Sequence, residues 1–479
     1  MSQTIVQRLA QFTADCRYQD LPSEVANETK RVILDSIGCA LAATNEPKSK
    51  IAIEIAGQMG TGDDATILGI GSRSSIFGAA FANGELINAL DFDAILPPGH
   101  VSPYVIPGAM AVAEAIGASG GDFVASMAIA HEISNRIGKA MDYLRDVKNG
   151  RMEPPQVYGY ASTVFGATAA VMRIKGLSAE LIANGIGIAG SISPVNSHMA
   201  WARHAPSSTI KYTVAGVIAQ SALTAAAMGE LGHRGDVQIL DDRDYGYPAI
   251  IGTKRWEPDG ICESLGTTWR YVPENSYKPY PHCRVLHSVF DTLIEVLETH
   301  DIKPAEIEKI RAFGEAFVDL PIWVNNRIEH VMDAQFSLKH GIALAAQRVS
   351  PSKVWQDPKL VFSPEVMSMM DKVTHEPHPD YIPLLKEHSA SRPARVEVTA
   401  RGQTFTGERR FPKGSPSPDS GSYMTTEELV AKFRRNAESI LPPAQVDDII
   451  DALLNLEKAP NFSAVMAKFR NTVKMRMAS

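Results

Sequence analysis

Four segments in the first 240 residues are rich in glycine and alanine and have a helical pattern: residues 78–90, 108–119, 165–178 and 216–232. Their small residues recur at three- and four-residue spacing, which places them on one face of an α-helix. Small side chains on such a face let helix backbones approach closely. Interspersed Glu, Asp, Arg and Lys argue against membrane-spanning helices. The pattern therefore predicts a tightly packed helical bundle.

The chain is long for a single hydrophobic core. Its 479 residues exceed the size at which one core usually stops growing, so we expect two domains. The formal net charge of −7 argues against a nucleic-acid-binding protein, which normally carries a basic domain. It does not exclude a small anionic substrate, because a few converging lysines determine the local field.

The cysteines and the chain start bear on the compartment. Cys16, Cys39, Cys262 and Cys283 show neither a CxxC pair nor a metal-ligand spacing. The first residues resemble an amphipathic helix rather than a targeting peptide, and no apolar run approaches the roughly 20 residues of a membrane helix. We expect free thiols and a cytoplasmic protein.

The pattern changes from helical to strand-like after about residue 270. Residues 306–316 are predicted to form a strand, and residues 394–411 two strands around an Arg401-Gly402 turn. The Pro/Gly/Ser-rich stretch 411–422 is typical of a linker. Beyond it, Thr425 and Glu428 form a capping-box pattern that opens another helix.

These changes divide the chain into three parts. We predict a mainly α protein with a large helical domain formed by residues 1–270 and the tail 413–479. A smaller α+β domain, residues 271–412, is predicted to be inserted between them.

One segment places acids and an imidazole between apolar, helix-like stretches. Asp91 and Asp93 precede a glycine and proline turn that ends in His100. Buried acids and imidazoles are costly unless they are paired or used, so the segment is an active-site candidate. The alternative is a pair of turn acids and an ordinary loop histidine.

Two further positions could face a cleft. Glu153 precedes a double proline that could simply open a helix. Lys211 is predicted to lie within an apolar helical run, where a lysine either extends to the surface or, if buried, needs an anion such as a substrate carboxylate.

Residues 277–284 hold the densest group of ionisable side chains, at the predicted domain junction. Interdomain clefts are preferred sites for small ligands, which favours a functional role over an aromatic and proline hinge. Other patterns are weak. No glycine-rich dinucleotide motif, HExxH metal motif or GxSxG nucleophile elbow is found.

Taken together, these motifs resemble the MmgE/PrpD family, which includes 2-methylcitrate dehydratase, cis-aconitate decarboxylase and iminodisuccinate epimerase. The resemblance runs through nearly the whole chain. Its carriers are residues 34–43, 83–94 and 153–159, the turn to His100 and residues 278–287. It implies a helical domain with a smaller α+β lid, a homodimer, no metal and no organic cofactor.

The resemblance also assigns site residues. Asp91, His100, Lys211 and Lys278 match the catalytic positions of the family. Further candidates for substrate binding are Glu153, His282, Cys283, Arg284 and Lys339.

This chain departs from the family pattern at several positions. Ala94 replaces the second acid of a usual pair, Ile95 stands where some members carry threonine, and the loop to His100 is one residue shorter. Glu153 and Cys283 replace histidines, and Lys339 stands near a tyrosine of the decarboxylases.

The implied function is a cofactor-independent lyase that acts on a small carboxylate. The leading hypothesis is a 2-methylcitrate dehydratase-like hydro-lyase that removes water from a hydroxy di- or tricarboxylate after α-proton abstraction. An isomerase or epimerase, a decarboxylase and a non-enzymatic carboxylate-binding protein are the alternatives.

Overall fold

The structure is a computed structural model that describes residues 3–143, 145–152, 155–194, 198–211, 214–316 and 320–470. It is mainly α, with only small sheets, which confirms the mainly α class, while the inserted α+β lid stays a prediction. The helices of the first half are α1 (Ile5–Asp15), α2 (Ser23–Ala42), α3 (Pro47–Gln58), α4 (Ile76–Asn88), α5 (Ser102–Ile116), α6 (Gly120–Ala140), α7 (Thr163–Ile174), α8 (Ala179–Ser191), α9 (His198–Arg203), α10 (Ala215–Glu230) and α11 (Tyr247–Ile251).

Shorter helices alternate with strands in the second half. The helices are α12 (His287–Thr299), α13 (Pro321–Val324), α14 (Val331–Ala334), α15 (Leu338–Ala345), α16 (Pro358–Val361), α17 (Pro364–Met370), α18 (Tyr381–Glu387), α19 (Thr426–Ala437), α20 (Pro443–Leu454) and α21 (Phe462–Ala467). The strands of the whole chain are β1 (Ala65–Thr66), β2 (Arg73–Ser74), β3 (Ile95–Leu96), β4 (Gly99–His100), β5 (Val147–Lys148), β6 (Arg151–Met152), β7 (Ile307–Gly314), β8 (Val373–Pro377), β9 (Ala394–Ala400) and β10 (Gln403–Arg409).

The glycine-rich helices pack as closely as their sequence predicts. A Cβ at Gly84 of α4 would lie 3.2 Å from the backbone nitrogen of Gly216 of α10, and one at Gly216 would lie 2.3 Å from the Phe81 ring. A Cβ at Gly166 of α7 would lie 2.4 Å from the carbonyl oxygen of Ala130 of α6. Small side chains are therefore required where these helices contact one another, and α4, which leads to Asp91, is fixed among them.

One four-stranded sheet has the order β10-β9-β7-β8, with β7 and β8 parallel and the other neighbours antiparallel. The predicted strand at 306–316 and the hairpin at 394–411 are confirmed. Arg401 (φ 55°) and Gly402 (φ 70°) form the turn, in a conformation that hairpin turns of two residues require. Helix α12 packs against β9 and β10.

The C-terminal helices α19 and α20 pack against α2. The capping box at the start of α19 is confirmed, since Thr425 Oγ1 accepts from Glu428 N and the Glu428 carboxylate accepts from Thr425 N.

The four cysteines are free thiols, as predicted. Among the helices of the described residues, none is both long and apolar enough to cross a membrane. The boundaries of the predicted domains stay a prediction.

Candidate active site

The chain reverses direction directly after α4. Helix α4 ends at Asn88, and Asp91 has a left-handed backbone (φ 52°), a conformation that aspartate tolerates better than most residues. Strands β3 and β4 then pair around Pro97 and Pro98, and this hairpin turns the chain back toward Asp91. The predicted proline and glycine turn is therefore present. It brings His100 back beside Asp91.

A second segment is fixed to this turn by backbone hydrogen bonds. Ile95 N donates to Ser276 O at 2.8 Å, and Ser276 N donates to Ile95 O at 2.9 Å. This pairing places Lys278 next to Asp91, although 187 residues separate the two in sequence.

Five side chains form what we call the aspartate–lysine cluster, composed of Asp91, Asp93, His100, Lys211 and Lys278. One carboxylate oxygen, Asp91 Oδ1, lies 2.9 Å from Lys211 Nζ, 2.9 Å from Lys278 Nζ and 3.3 Å from His100 Nε2. All five residues are buried. The structure therefore brings together the four catalytic residues inferred from the family resemblance.

His100 is held on both sides by carboxylates. Its Nδ1 lies 2.6 Å from Asp93 Oδ2, which is closer than the contact of its Nε2 with Asp91. In the imidazolium form both ring nitrogens donate to these carboxylates. In the neutral form the short Nδ1–H bond to Asp93 leaves Nε2 as the acceptor. Asp93 therefore fixes which nitrogen of His100 can exchange a proton.

Lys211 differs from its predicted setting. It lies in a non-helical segment ahead of α10, so the expected helical position is wrong. The lysine is buried, and Nζ donates to Asn88 O at 2.8 Å as well as contacting Asp91. An ammonium bound to a carbonyl and a carboxylate needs no helix to position it, which is why helical periodicity is a poor guide here.

Burial and charge pairing act in opposite directions in this cluster. Burial alone would raise the pKa of Asp91, but Lys211, Lys278 and His100 hold that pKa well below its usual range. Burial likewise opposes ionisation of Asp93, whose pKa is lowered mainly by His100. Burial lowers the pKa of Lys211 to about 8 despite the attraction of Asp91. The carboxylates are therefore firmly ionised, while Lys211 is a weaker proton holder than an exposed lysine.

Five consecutive backbone carbonyls of residues 88–92 are bound by side chains from elsewhere in the chain. The donors are Lys211 to Asn88 O (2.8 Å), Gln335 to Ala89 O (3.2 Å), Gln356 to Leu90 O (2.6 Å), Lys278 to Asp91 O (3.0 Å) and Lys432 to Phe92 O (2.7 Å). Carbonyls at a helix end have no partner within the helix, so these donors satisfy them and fix the turn.

Behind the cluster lies a second buried ion pair. Lys432 of α19 contacts Asp35 of α2 at 2.7 Å, and its Nζ lies 3.9 Å from the centre of the Phe92 ring. Burial raises the pKa of Asp35 although Lys432 opposes the shift. Lys432 thus connects the C-terminal helices to the turn that carries Asp91 and Asp93.

A cavity opens beside His100 and Lys278. Its walls also carry Tyr158, Tyr160, Cys283, Arg284 and Arg392. Cations and aromatic rings dominate the lining, and within the described part of the chain no carboxylate is among the lining residues. The cavity therefore suits a small anion.

Comparison with known proteins identifies the family of this chain. The MmgE/PrpD N-terminal domain matches residues 7–259, and the MmgE/PrpD C-terminal domain matches residues 280–458. This chain belongs to the MmgE/PrpD family. It is 25% identical over 497 residues to the cis-aconitate decarboxylase of Homo sapiens, across 100% of this chain and 97% of that protein. It is 23% identical over 500 residues to the cis-aconitate decarboxylase of Aspergillus terreus, across 98% of this chain and 96% of that protein.

The additional candidates that the MmgE/PrpD resemblance suggested fall in different places. Cys283 and Arg284 line the cavity. His282 does not line it. Its ring packs against Phe290 with centroids 5.1 Å apart, and burial lowers its pKa to about 3. Lys339 is half-buried, outside the cavity lining, and forms no ion pair with the described residues. Glu153 lies outside the described residues.

Burial also determines the state of the neighbouring side chains. It raises the pKa of Cys283 to about 11, so that the thiol is neutral near pH 7. Burial, with further repulsion from Arg284, lowers the pKa of His287 well below its usual range. His287 Nε2 donates to His282 O, and His287 Nδ1 accepts from Arg284. His287 therefore positions Arg284.

Sequence reasoning missed Arg392, Gln335, Gln356 and Lys432. No local pattern marks them, because each acts through a contact with a distant segment. Asp93 differs, since its place in the Asp-Phe-Asp motif already put it two residues from Asp91.

Proposed function

We propose that this MmgE/PrpD protein is a cofactor-independent lyase that removes water from a hydroxy di- or tricarboxylate. The observation that carries the proposal is the aspartate–lysine cluster beside a cavity lined by cations. Chemistry at a carbon next to a carboxylate requires a proton acceptor and cations that stabilise the enolate-like charge. His100 and Lys278 line the cavity and provide these groups.

Asp91 serves this chemistry as an organiser rather than as a base. Its carboxylate contacts Lys211, Lys278 and His100, and its low pKa makes it a weak proton acceptor. A buried carboxylate in this position orients Lys211 and Lys278 before the substrate arrives and stabilises the imidazolium that forms on His100, which reduces the reorganisation needed in the transition state.

His100 is the proposed proton carrier. Neutral His100 takes the α-proton of the substrate on Nε2, while Asp93 accepts a hydrogen bond from Nδ1–H. The resulting imidazolium is stabilised by both aspartates. It then returns the proton to the substrate hydroxyl as the carbon–oxygen bond breaks, and water leaves. The electron pair of the broken C–H bond becomes part of the new double bond.

Lys278 is proposed to bind the carboxylate next to the reacting carbon. Its ammonium lies against Asp91 and faces the cavity, so it can stabilise the charge that develops on that carboxylate. Lys211 supports it from behind, through the same oxygen of Asp91.

The direct test is incubation of the purified protein with 2-methylcitrate or citrate while the absorbance of an unsaturated acid is followed. Turnover is expected, and both His100→Ala and Lys278→Ala are expected to abolish it. His233→Ala changes an exposed histidine and serves as the control. Absence of turnover on every such acid, or full activity of both variants, would refute the proposal.

Decarboxylation is the second candidate, because the relatives named above are cis-aconitate decarboxylases. Ala94 and Ile95 replace polar residues that the decarboxylases and several dehydratases share next to the Asp91 turn, so these two positions count against cis-aconitate decarboxylation but do not identify 2-methylcitrate as the substrate. Carbon dioxide released from cis-aconitate would support decarboxylation. Deuterium uptake from solvent without elimination would support the third possibility, an isomerase or epimerase.

We further propose that residues 271–412 form a lid that closes over the cavity, with residues 265–285 as the hinge. The protein is proposed to be a cytoplasmic homodimer. A substrate should slow hydrogen exchange in residues 265–285, whereas equal exchange with and without a substrate would contradict the lid. Sedimentation velocity tests the dimer.

A further inference from the structure

Arg284 and Arg392, which line the cavity, belong to a group of arginines that carries more positive charge than its one paired carboxylate balances. We call Arg145, Arg284, Arg392 and Glu315 the arginine cluster. Arg392 donates to Glu315, and Arg145 Nε lies 3.8 Å from the same carboxylate. Two guanidinium groups therefore share one acid, and Arg284 adds a third positive charge.

Arg284 is bound only by neutral groups. Its Nη1 donates to Tyr277 O, Lys413 O and His287 Nδ1, and its Nη2 donates to Ser415 Oγ. Among the described residues it forms no ion pair with a carboxylate. The residue is only 4% exposed, so its charge is screened little by water.

The electrostatic consequence is visible in both buried arginines. Burial, followed by repulsion from Arg392, lowers the pKa of Arg284 to about 9, although the buried carboxylate of Asp291 opposes the shift. The same two causes lower the pKa of Arg145 to about 10. An anion in the cavity would relieve this repulsion, and the geometry identifies where it would bind. Arg284 and Arg392 both line the cavity that His100 and Lys278 enter.

Arg392 also keeps donors available. Within the described part of the chain its guanidinium donates only from Nη1, to Glu315, which leaves the Nε and Nη2 hydrogens for a ligand. A guanidinium offers parallel N–H groups that match the two oxygens of a carboxylate.

We propose that Arg284 and Arg392 form a second carboxylate subsite, which binds a substrate carboxylate other than the one at Lys278. The hydroxy di- or tricarboxylate proposed above supplies one carboxylate for each subsite. Arg145 is a positioning residue, because it reaches the subsite only through Glu315. This subsite rests on the proposed function, but it is tested by binding alone.

The experiment is isothermal titration of the intact protein with propane-1,2,3-tricarboxylate and with propionate, which has a single carboxylate. Arg284→Gln and Arg392→Gln are each expected to weaken tricarboxylate binding roughly tenfold or more, the loss typical of a charge-assisted hydrogen bond. Arg392→Lys should bind nearly as weakly, because an ammonium lacks the planar fork. Propionate binding should change little in all three variants.

Two further variants separate binding from folding. Arg395→Gln removes a nearby arginine that pairs with Glu397 outside the cavity, and it should bind as the unchanged protein does. Glu315→Gln combined with Arg392→Gln removes the acid that Arg392 neutralises. Binding that stays weak in the double variant supports direct contact with the ligand, whereas restored binding overturns it.

The remaining outcomes distinguish the subsite from the reaction. Arginine-dependent binding without turnover on any acid supports the subsite and refutes the proposed lyase. Turnover with a KM that neither arginine variant changes overturns the subsite alone. Failure of the unchanged protein to bind the tricarboxylate overturns it as well.

Discussion

The aspartate–lysine cluster and the arginine cluster, which both reach the cavity, handle buried charge in opposite ways. In the aspartate–lysine cluster two carboxylates face two lysines and a histidine, and every cation contacts an acid. In the arginine cluster three guanidinium groups accompany one paired carboxylate. Matched charges fix geometry before a substrate arrives, whereas excess charge requires an anion. The aspartate–lysine cluster therefore suits catalysis, and the arginine cluster suits recognition of an anionic substrate.

The largest expected effect comes from removing the carboxylate that Lys211, Lys278 and His100 all contact. Asp91→Asn leaves two buried lysines without that carboxylate, which should lower kcat about a hundred- to a thousandfold. The free energy of unfolding should fall by about 3–5 kcal/mol. Steady-state kinetics and urea unfolding measure the two effects. Asp63→Asn, at an exposed acid that pairs with Arg73, is the control and should change neither. Near-normal kcat in Asp91→Asn would contradict the catalytic role of the aspartate–lysine cluster.

A smaller effect on stability is expected at the ion pair of Lys432 and Asp35, which lies behind the aspartate–lysine cluster. Lys432→Met leaves Asp35 buried without its partner and Phe92 O without its donor, at a cost of about 3 kcal/mol in the free energy of unfolding. Adding Asp35→Asn should recover part of this loss, because no unpaired charge then remains. Lys468→Met breaks an exposed pair with Asp448 and should cost under about 1 kcal/mol. Equal losses in the two lysine variants would show that burial of the pair does not matter.

The contribution of the aspartate–lysine cluster to the free energy of unfolding should also be lost at low pH. The pKa of Asp91 is lower in the folded protein than its ordinary value of 3.8, so the unfolded chain takes up the proton first as pH falls. Its contribution is therefore complete above that ordinary value and is lost as pH falls from there toward the folded pKa. Urea unfolding between pH 5 and pH 2.5 should show a steeper loss for the unchanged protein than for Asp91→Asn. Parallel curves would contradict this assignment.

The smallest effect is expected at Lys339, which is half-buried and belongs to neither the aspartate–lysine cluster nor the arginine cluster. Lys339→Ala should change kcat/KM by less than about twofold, because a half-exposed charge that is not among the lining residues is well screened. A tenfold loss would restore the binding role that the family resemblance suggested and would extend the cavity beyond its present lining.

Prediction from sequence succeeded where the signal is local. The hairpin at 394–411 follows from alternating valines and an Arg401-Gly402 turn, and the start of α19 follows from Thr425 and Glu428. Lys211 was misplaced because its neighbours suggest a helix, while its position is determined by contacts with Asp91 and Asn88. Contacts of that kind leave no periodic pattern.

The sequence alone determined the helical bundle, the family and the residues of the aspartate–lysine cluster. These depend on the spacing of small residues and on motifs carried within short segments. Only the tertiary structure showed that five side chains bind the carbonyls of residues 88–92 and that Arg392 shares the cavity with Arg284. The reason is physical. Charge balance at a buried site is the sum over segments hundreds of residues apart, and folding alone brings those segments into contact.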